Sequence, residues 1–317
     1  MQPLVVIVFL SWNNVSDTLA CLDSLARLDY PDYRVLVVDN ASSDGMVEAV
    51  RERFPQVTII ENSENLGYAE GNNVGIRRAL EDGADYVLVL NNDTLVAPTL
   101  LSELVAVATA DPKIGLAGPT IYYADPADMV FALGSCINWA KGTISHRGML
   151  KWAKQVTLPS TPEAVDFIVG TAMLMSRPCL DAIGLFDAAY FLNFEDVELC
   201  VRAARRGFRV VFVPQVVIWH KVSATLGRES PASTYYMTRN ALRFFWRNAP
   251  LCVRWMSVAC ILLRTLRRVS VWSLKPQYRK DDFHRKRAAN LLALRDFFLG
   301  RFGKMGQDVA AICYPNG

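Results

Sequence analysis

The stretch Tyr86-Val87-Leu88-Val89-Leu90-Asn91-Asn92-Asp93 changes character within one residue. Its apolar half is short and valine-rich, which predicts a strand buried on both faces. Such strands belong to sheets covered by helices, so this one run directs the chain to the α/β class. The polar triplet then stands at the strand's C-terminal end, where open α/β sheets bind ligands. Asp93 is the charge there, and Asn91 and Asn92 can donate and accept hydrogen bonds around it. A carboxylate on a rigid strand tip suits a hard divalent cation shared with a diphosphate. The competing reading is a plain turn, which Asn and Asp also favour.

The residues before this strand repeat the plan. Leu4 to Leu10 is apolar and β-branched, predicting a first strand that ends in Ser11-Trp12-Asn13-Asn14. Leu19, Leu22, Leu25 and Leu28 recur at three-residue spacing in a predicted helix. A second strand over 34–38 ends in Asp39-Asn40-Ala41-Ser42-Ser43-Asp44-Gly45, and a helix, a third strand and a helix over 68–82 follow. Strands alternating with helices of this length predict βαβ units and a parallel, doubly wound sheet. Right-handed crossovers would bring the tips at 11–14, 39–44 and 91–93 to one edge. No G-x-G-x-x-G follows the first strand, and no G-x-x-x-x-G-K-[ST] occurs. The dinucleotide-dehydrogenase and P-loop readings thereby lose their main support.

Each further polar position has two readings. Asp39 either accepts from a base N–H or caps the next helix. Asn65-Leu66-Gly67-Tyr68, with Gly71 and Asn72 beyond, opens a helix whose N–H groups suit phosphate or sugar oxygens, or else forms a turn. Gly170-Thr171 precedes an apolar run and predicts a strand starting close to a ligand. Glu195 and Asp196 fall in a helix's first turn, where they cap it or include a general base. His220, in Trp219-His220, is structural or a ligand. Residues 140–162, with His146 and Arg147, read as an irregular surface loop.

Charge separates the C-terminal segment. Residues 1–227 hold 17 Lys and Arg against 26 Asp and Glu, a net of −9, whereas residues 228–317 hold 17 against 5, a net of +12. A basic segment suggests an anionic partner surface, membrane or nucleic acid. Residues 251–274 are mostly apolar, with Arg254, Arg264 and Arg268 on one side of a helical wheel, and Lys275, Arg279, Lys280, Arg285, Lys286 and Arg287 follow. A basic amphipathic helix with tryptophans reads as lying in a membrane interface, with core packing as the alternative. No zinc pattern or aromatic single-strand platform accompanies it, so nucleic acid is not expected. Seven cysteines without a C-x-x-C pair, no signal-peptide pattern and no window long and apolar enough to span lead us to expect a cytoplasmic protein, peripheral on the inner face of the membrane.

Taken together, Ser11-Trp12-Asn13, Asp39–Gly45, Asn65-Leu66-Gly67-Tyr68, Asn91-Asn92-Asp93, Gly170-Thr171-Ala172, Glu195-Asp196 and Trp219-His220 resemble, in order, the family 2 glycosyltransferases of the GT-A fold, and most closely their rhamnosyltransferase-like branch. The resemblance covers about residues 4–245. It implies a Rossmann-like nucleotide-sugar half (1–95), an acceptor half (96–230) and a basic helical segment (231–317). It also implies an inverting transferase. Asp39 would contact the base of the donor, and Ser11, Trp12, Asn13, Asn65, Gly67, Tyr68, Asn72, Asn91, Asn92, Gly170 and Thr171 would line its site. Asp93 would hold Mn²⁺ or Mg²⁺ on the diphosphate with His220 as second ligand, and Asp196, beside Glu195, would be the base. The family's first aspartate of Asp-x-Asp is Asn91 here, leaving one carboxylate. The expected donor is dTDP-rhamnose, with a UDP-hexose as alternative. The expected acceptor is a glycan or a polyprenyl-diphosphate-linked sugar. A non-catalytic sugar-nucleotide or glycan-binding module is the alternative from another class.

Overall fold

A computed structural model describes residues 2–222, 230–278 and 280–315. Arg279 of the basic run and residues 223–229 lie outside them. The chain divides into two compact units. The first comprises residues 1–136, 145–186 and 199–222, and the second residues 137–144, 187–198 and 223–317.

The first unit begins with β1 (Val5–Ser11), α1 (Val15–Leu25), β2 (Tyr33–Asp39), α2 (Met46–Arg53), β3 (Thr58–Glu61), α3 (Gly67–Glu81) and β4 (Tyr86–Asn91). β1 pairs in parallel with β2 and β4, and β2 with β3, as the alternating pattern predicts. Helix α3 lies close against this sheet because its contact face has no side chain at Gly75. A Cβ there would stand 2.4 Å from a Val8 methyl carbon.

The chain continues through β5 (Thr94–Val96), α4 (Leu100–Ala110), β6 (Ile114–Tyr123), β7 (Val130–Ala132), β8 (Ser135–Asn138), β9 (Thr143–His146), β10 (Glu163–Ala164), β11 (Ala172–Ser176), α5 (Arg177–Ile183), α6 (Glu195–Arg205) and β12 (Arg209–His220). The main sheet runs β10-β12-β6-β11-β4-β1-β2-β3. It is not wholly parallel, because β11 runs antiparallel to both β4 and β6. No helical crossover leads into β11, so the constraint that keeps βαβ strands parallel does not act on it. Residues 140–162 are also more ordered than expected, since β8 and β9 form a separate two-stranded sheet. Trp219 and His220 lie within β12 itself rather than after it. The apolar strand residues and the inner faces of α1, α2 and α4 form one core.

The second unit is built on α7 (Pro231–Asn248), α8 (Leu251–Leu274), α9 (Asp281–Phe298) and α10 (Gln307–Cys313). Ser230 starts α7 as its composition requires, its Oγ accepting from Ser233 N at 3.0 Å with Pro231 in the first turn. Ala232, Tyr235, Tyr236, Ala289, Ala293, Val309 and Cys313 form the core of this unit. Helix α8 buries Ser257, Val258, Ile261 and Thr265. Its opposite side leaves Leu251, Trp255, Leu263, Leu266 and Leu274 between 48 and 77% exposed. Arg254 and Arg264 turn to backbone carbonyls of their own unit, at Ala249 and at Lys141 and Gly142. The helix is amphipathic as predicted, but its apolar arc is the side left open.

Candidate functional site

In the first unit, register gathers the strand ends. Ser11 lies beside Asp39, and Asn91 beside Leu10. Because β11 is antiparallel to β4, its beginning lies at the end of β4, and Asn91 N donates to Thr171 O at 3.0 Å. Gly170 comes to the same edge. The Tyr68 hydroxyl donates to its carbonyl at 2.6 Å, where a Cβ on Gly170 would stand 2.8 Å from that oxygen.

Local hydrogen bonds hold the tips in place. Asn13 and Asn14 take left-handed backbone conformations, which asparagine tolerates. Asn13 N donates to Ser42 Oγ at 2.8 Å, and its own Oδ1 accepts from Ser43 N at 2.9 Å. Asn92 Nδ2 reaches Ser11 Oγ at 3.3 Å and Thr18 Oγ1 at 3.2 Å. Thr18 is fully buried and was invisible as a site residue, because it sits inside the leucine pattern of α1. Asp39 is 4% exposed, and its carboxylate accepts from Ser42 N at 3.1 Å. That bond makes the turn, and a carboxylate keeps further lone pairs for another donor. Asn65 Oδ1 accepts from Gly67 N at 2.8 Å, satisfying one of the open N–H groups at the start of α3. Asn72 Nδ2 donates to Tyr68 O at 2.8 Å. Trp12 is half-buried beside this cluster in sequence.

Asp93 and His220 meet across the β5–β12 pair. His220 is in register with Thr94, so its ring falls next to Asp93, with Nε2 3.1 Å from Oδ1. Both residues are buried, and Phe131 packs edge-on to the imidazole at 5.1 Å. Octahedral neighbours at about 2.1 Å from one Mg²⁺ or Mn²⁺ stand about 3 Å apart, so this spacing fits two adjacent ligands. Asn91 Oδ1 and Asn72 Oδ1 are buried with no hydrogen-bond partner among the described residues. No group of three or more His, Cys, Asp or Glu gathers there among the described residues, so further ligands would be diphosphate or water oxygens.

The second unit carries Glu195 and Asp196 at the first turn of α6. Phe191, Asn193 and Phe194 before them have φ of 62°, 67° and 74°. Left-handed conformations cost non-glycine residues on the order of 1–3 kcal/mol each, and they persist only where the surroundings fix them. Glu195 is 5% exposed, and its Oε2 has no partner among the described residues. Burial, reinforced by the neighbouring Asp196 charge, holds the Glu195 carboxyl well above the ordinary carboxylate range. Asp196 is half-buried and therefore open to a reactant in a way Glu195 is not. The resemblance named Asp196 as the base, whereas the residues read by themselves left the two carboxylates equivalent.

The family model described as glycosyltransferase like family 2 matches residues 3–256. An N-acetylglucosaminyl-diphospho-decaprenol L-rhamnosyltransferase of Mycobacterium tuberculosis is 28% identical over 266 residues, 77% of this chain and 86% of that protein. The dTDP-rhamnosyl transferase RfbF of Shigella flexneri is 23% identical over 255 residues, 78% of this chain and 82% of that protein. Among solved structures, the mannosyltransferase PcManGT of Pyrobaculum calidifontis, in complex with GDP-Man and Mn²⁺, superposes with a TM-score of 0.60 at 19% identity, covering 95% of this chain and 88% of that one. The fold is that of the GT-A glycosyltransferases.

Proposed function

The chain belongs to glycosyltransferase family 2, and from that premise we propose that it transfers L-rhamnose from dTDP-rhamnose, with inversion, to a polyprenyl-diphosphate-linked sugar in cell-surface polysaccharide synthesis. Both relatives named as rhamnosyltransferases support the choice of sugar, the Shigella protein's name supports the dTDP donor, and the mycobacterial protein's name supports a lipid-linked acceptor. The observation that carries the chemistry is the buried Asp93–His220 pair at the sheet edge where Ser11, Asp39, Asn91 and Thr171 also end.

Asp39 and the tips beside it hold the nucleoside, and the Oδ1 atoms of Asn72 and Asn91 accept from ligand hydroxyls. Asp93 and His220 would hold a divalent cation, which when bound would neutralise charge on the diphosphate. Asp196 takes the proton of the acceptor hydroxyl. The oxygen so freed bonds to the anomeric carbon as the bond from that carbon to the diphosphate breaks, and the electron pair leaves with the diphosphate. A base on the face opposite the leaving group gives inversion. Burial, and then the Asp196 charge, push the Glu195 carboxyl up, which favours its neutral form beside Asp196.

The acceptor's lipid brings the enzyme to a membrane surface. Among the described residues no helix is long and apolar enough to cross a membrane. The exposed apolar arc of α8, with Arg267 and Arg268 also exposed, supports a helix lying in the interface of an anionic bilayer. Transfer assays with a panel of nucleotide sugars, including dTDP-rhamnose and UDP-hexoses, and a polyprenyl-diphosphate acceptor test this reading. Product only from dTDP-rhamnose is expected. Turnover of a UDP-hexose alone would replace the donor, and donor binding with no transfer to any acceptor would favour a binding module.

A further inference from the structure

We propose that Asn240 is a positioning residue for the carboxylates of α6, an inference that rests on the reading of Asp196 as the base. The segment 190–194 leaves a short 3-10 turn at Ala188–Tyr190 and delivers Glu195 and Asp196 to the start of the helix through three residues of positive φ, with no strand ladder of its own. Asn240, fully buried on α7, supplies what is missing. Its Nδ2 donates to the carbonyls of Tyr190 at 2.8 Å, Leu192 at 2.8 Å and Asn193 at 2.9 Å. The two N–H bonds of one amide, one of them shared, thus hold three carbonyls within four residues of the segment.

The amide is itself fixed. Its Oδ1 accepts from Arg239 Nε at 3.1 Å, which leaves Nδ2 facing the carbonyls. Arg239 is 1% exposed, lies 5.0 Å from the ring centres of Tyr235 and Tyr236, and donates to the Tyr235 hydroxyl at 3.2 Å. That hydroxyl donates in turn to Asp296 Oδ2 at 2.7 Å on α9. The segment's aromatic residues dock on the same helix, with Phe191 stacked on Tyr236 at 5.2 Å and Phe194 against Phe244 at 5.6 Å. A chain of buried polar contacts therefore runs from Asp296 to the residues that aim Asp196. Only a carboxamide can accept from Arg239 and donate to carbonyls at the same place. An aspartate of the same shape would keep the first contact and lose every bond of the second kind.

The test compares Asn240→Asp, Asp196→Asn, the double variant, and Thr238→Val. Thr238 lies on the same helix and bonds Asn290 at 2.8 Å, away from the segment, so it reports a buried bond lost without aiming. Misplacement of a catalytic group by about 1 Å can cost up to about 10²-fold. Asn240→Asp should therefore lower kcat of transfer by roughly 10- to 100-fold with donor KM unchanged, and Thr238→Val should leave kcat alone. With Asp196 already Asn, changing Asn240 should cost nothing further, because there is no base left to aim. A full additional loss in the double variant, or wild-type kcat in Asn240→Asp, overturns the proposal. If Asp196→Asn keeps its turnover, the base assignment falls and this inference with it. If Asp196→Asn is inactive while Asn240→Asp is not, the positioning role alone falls. Should Asn240→Asp not fold, Asn240→Ser, too short to reach three carbonyls, carries the same comparison.

Discussion

Asp93 Oδ1 lies 3.1 Å from His220 Nε2, although one residue follows the fourth strand and the other closes the last. Both groups are buried, and Asn91 Oδ1, at the end of the strand that Asp93 follows, has no hydrogen-bond partner among the described residues.

Asp93→Asn and His220→Gln should each weaken binding of the nucleotide sugar as well as turnover. Disturbing a metal's surroundings commonly costs about 10- to 100-fold in metal affinity, and loss of a ligand should reach at least that range. Titration calorimetry of donor in Mn²⁺ measures it, and excess chelator should abolish wild-type activity until Mn²⁺ is restored. Full activity in chelator would end the metal role.

Asp196→Asn should behave differently. Donor binding in Mn²⁺ should stay near wild type, while transfer falls by about 10²–10⁴, the range for a lost general base. Glu195→Gln is the adjacent control, and a larger loss there would move the base by one residue.

Glu195 also makes a prediction for stability. Its folded value lies above its ordinary value of 4.5, through burial and then the Asp196 charge. The native state therefore holds this proton more tightly than the unfolded chain does. The stability this supplies is complete below the ordinary value and is lost as pH rises through the raised one. Glu195→Gln should therefore gain melting temperature relative to wild type as pH rises, measured by thermal denaturation across that interval. A difference that is constant with pH would contradict it.

The apolar arc of α8 predicts a phenotype on membranes alone. Trp255 and Leu263 are 71% and 67% exposed, so replacing either with Ser should leave the fold intact. Burying such a side chain is worth about 1.5–3 kcal/mol, so each change should lower partitioning onto anionic vesicles roughly tenfold or more. Vesicle sedimentation reads this out, with turnover on a water-soluble acceptor as the control. Unfolding on substitution would indicate that the arc packs on protein.

The sequence by itself determined the strand tips, because an apolar run that stops at Asn or Asp specifies both the strand and its end. The same runs made the alternating parallel half legible, with the strand end that Asp93 follows and the helix that opens at Glu195. Helix α8 was legible as amphipathic for the same reason, since periodicity is a local property. Only the tertiary structure decided what depends on pairing between distant segments. The reversed direction of β11 brings Gly170 and Thr171 to the ligand edge by their strand's beginning, and the β5–β12 register puts His220 against Asp93. Burial, which a local pattern does not encode, separated Glu195 from Asp196 and turned the apolar side of α8 outward. Asn240 shows the limit most plainly. It stands in a run, residues 235–240, legible as the beginning of a helix and similar to the rhamnosyltransferase-like branch, but its contacts exist only because three carbonyls from a distant segment converge on its one amide nitrogen.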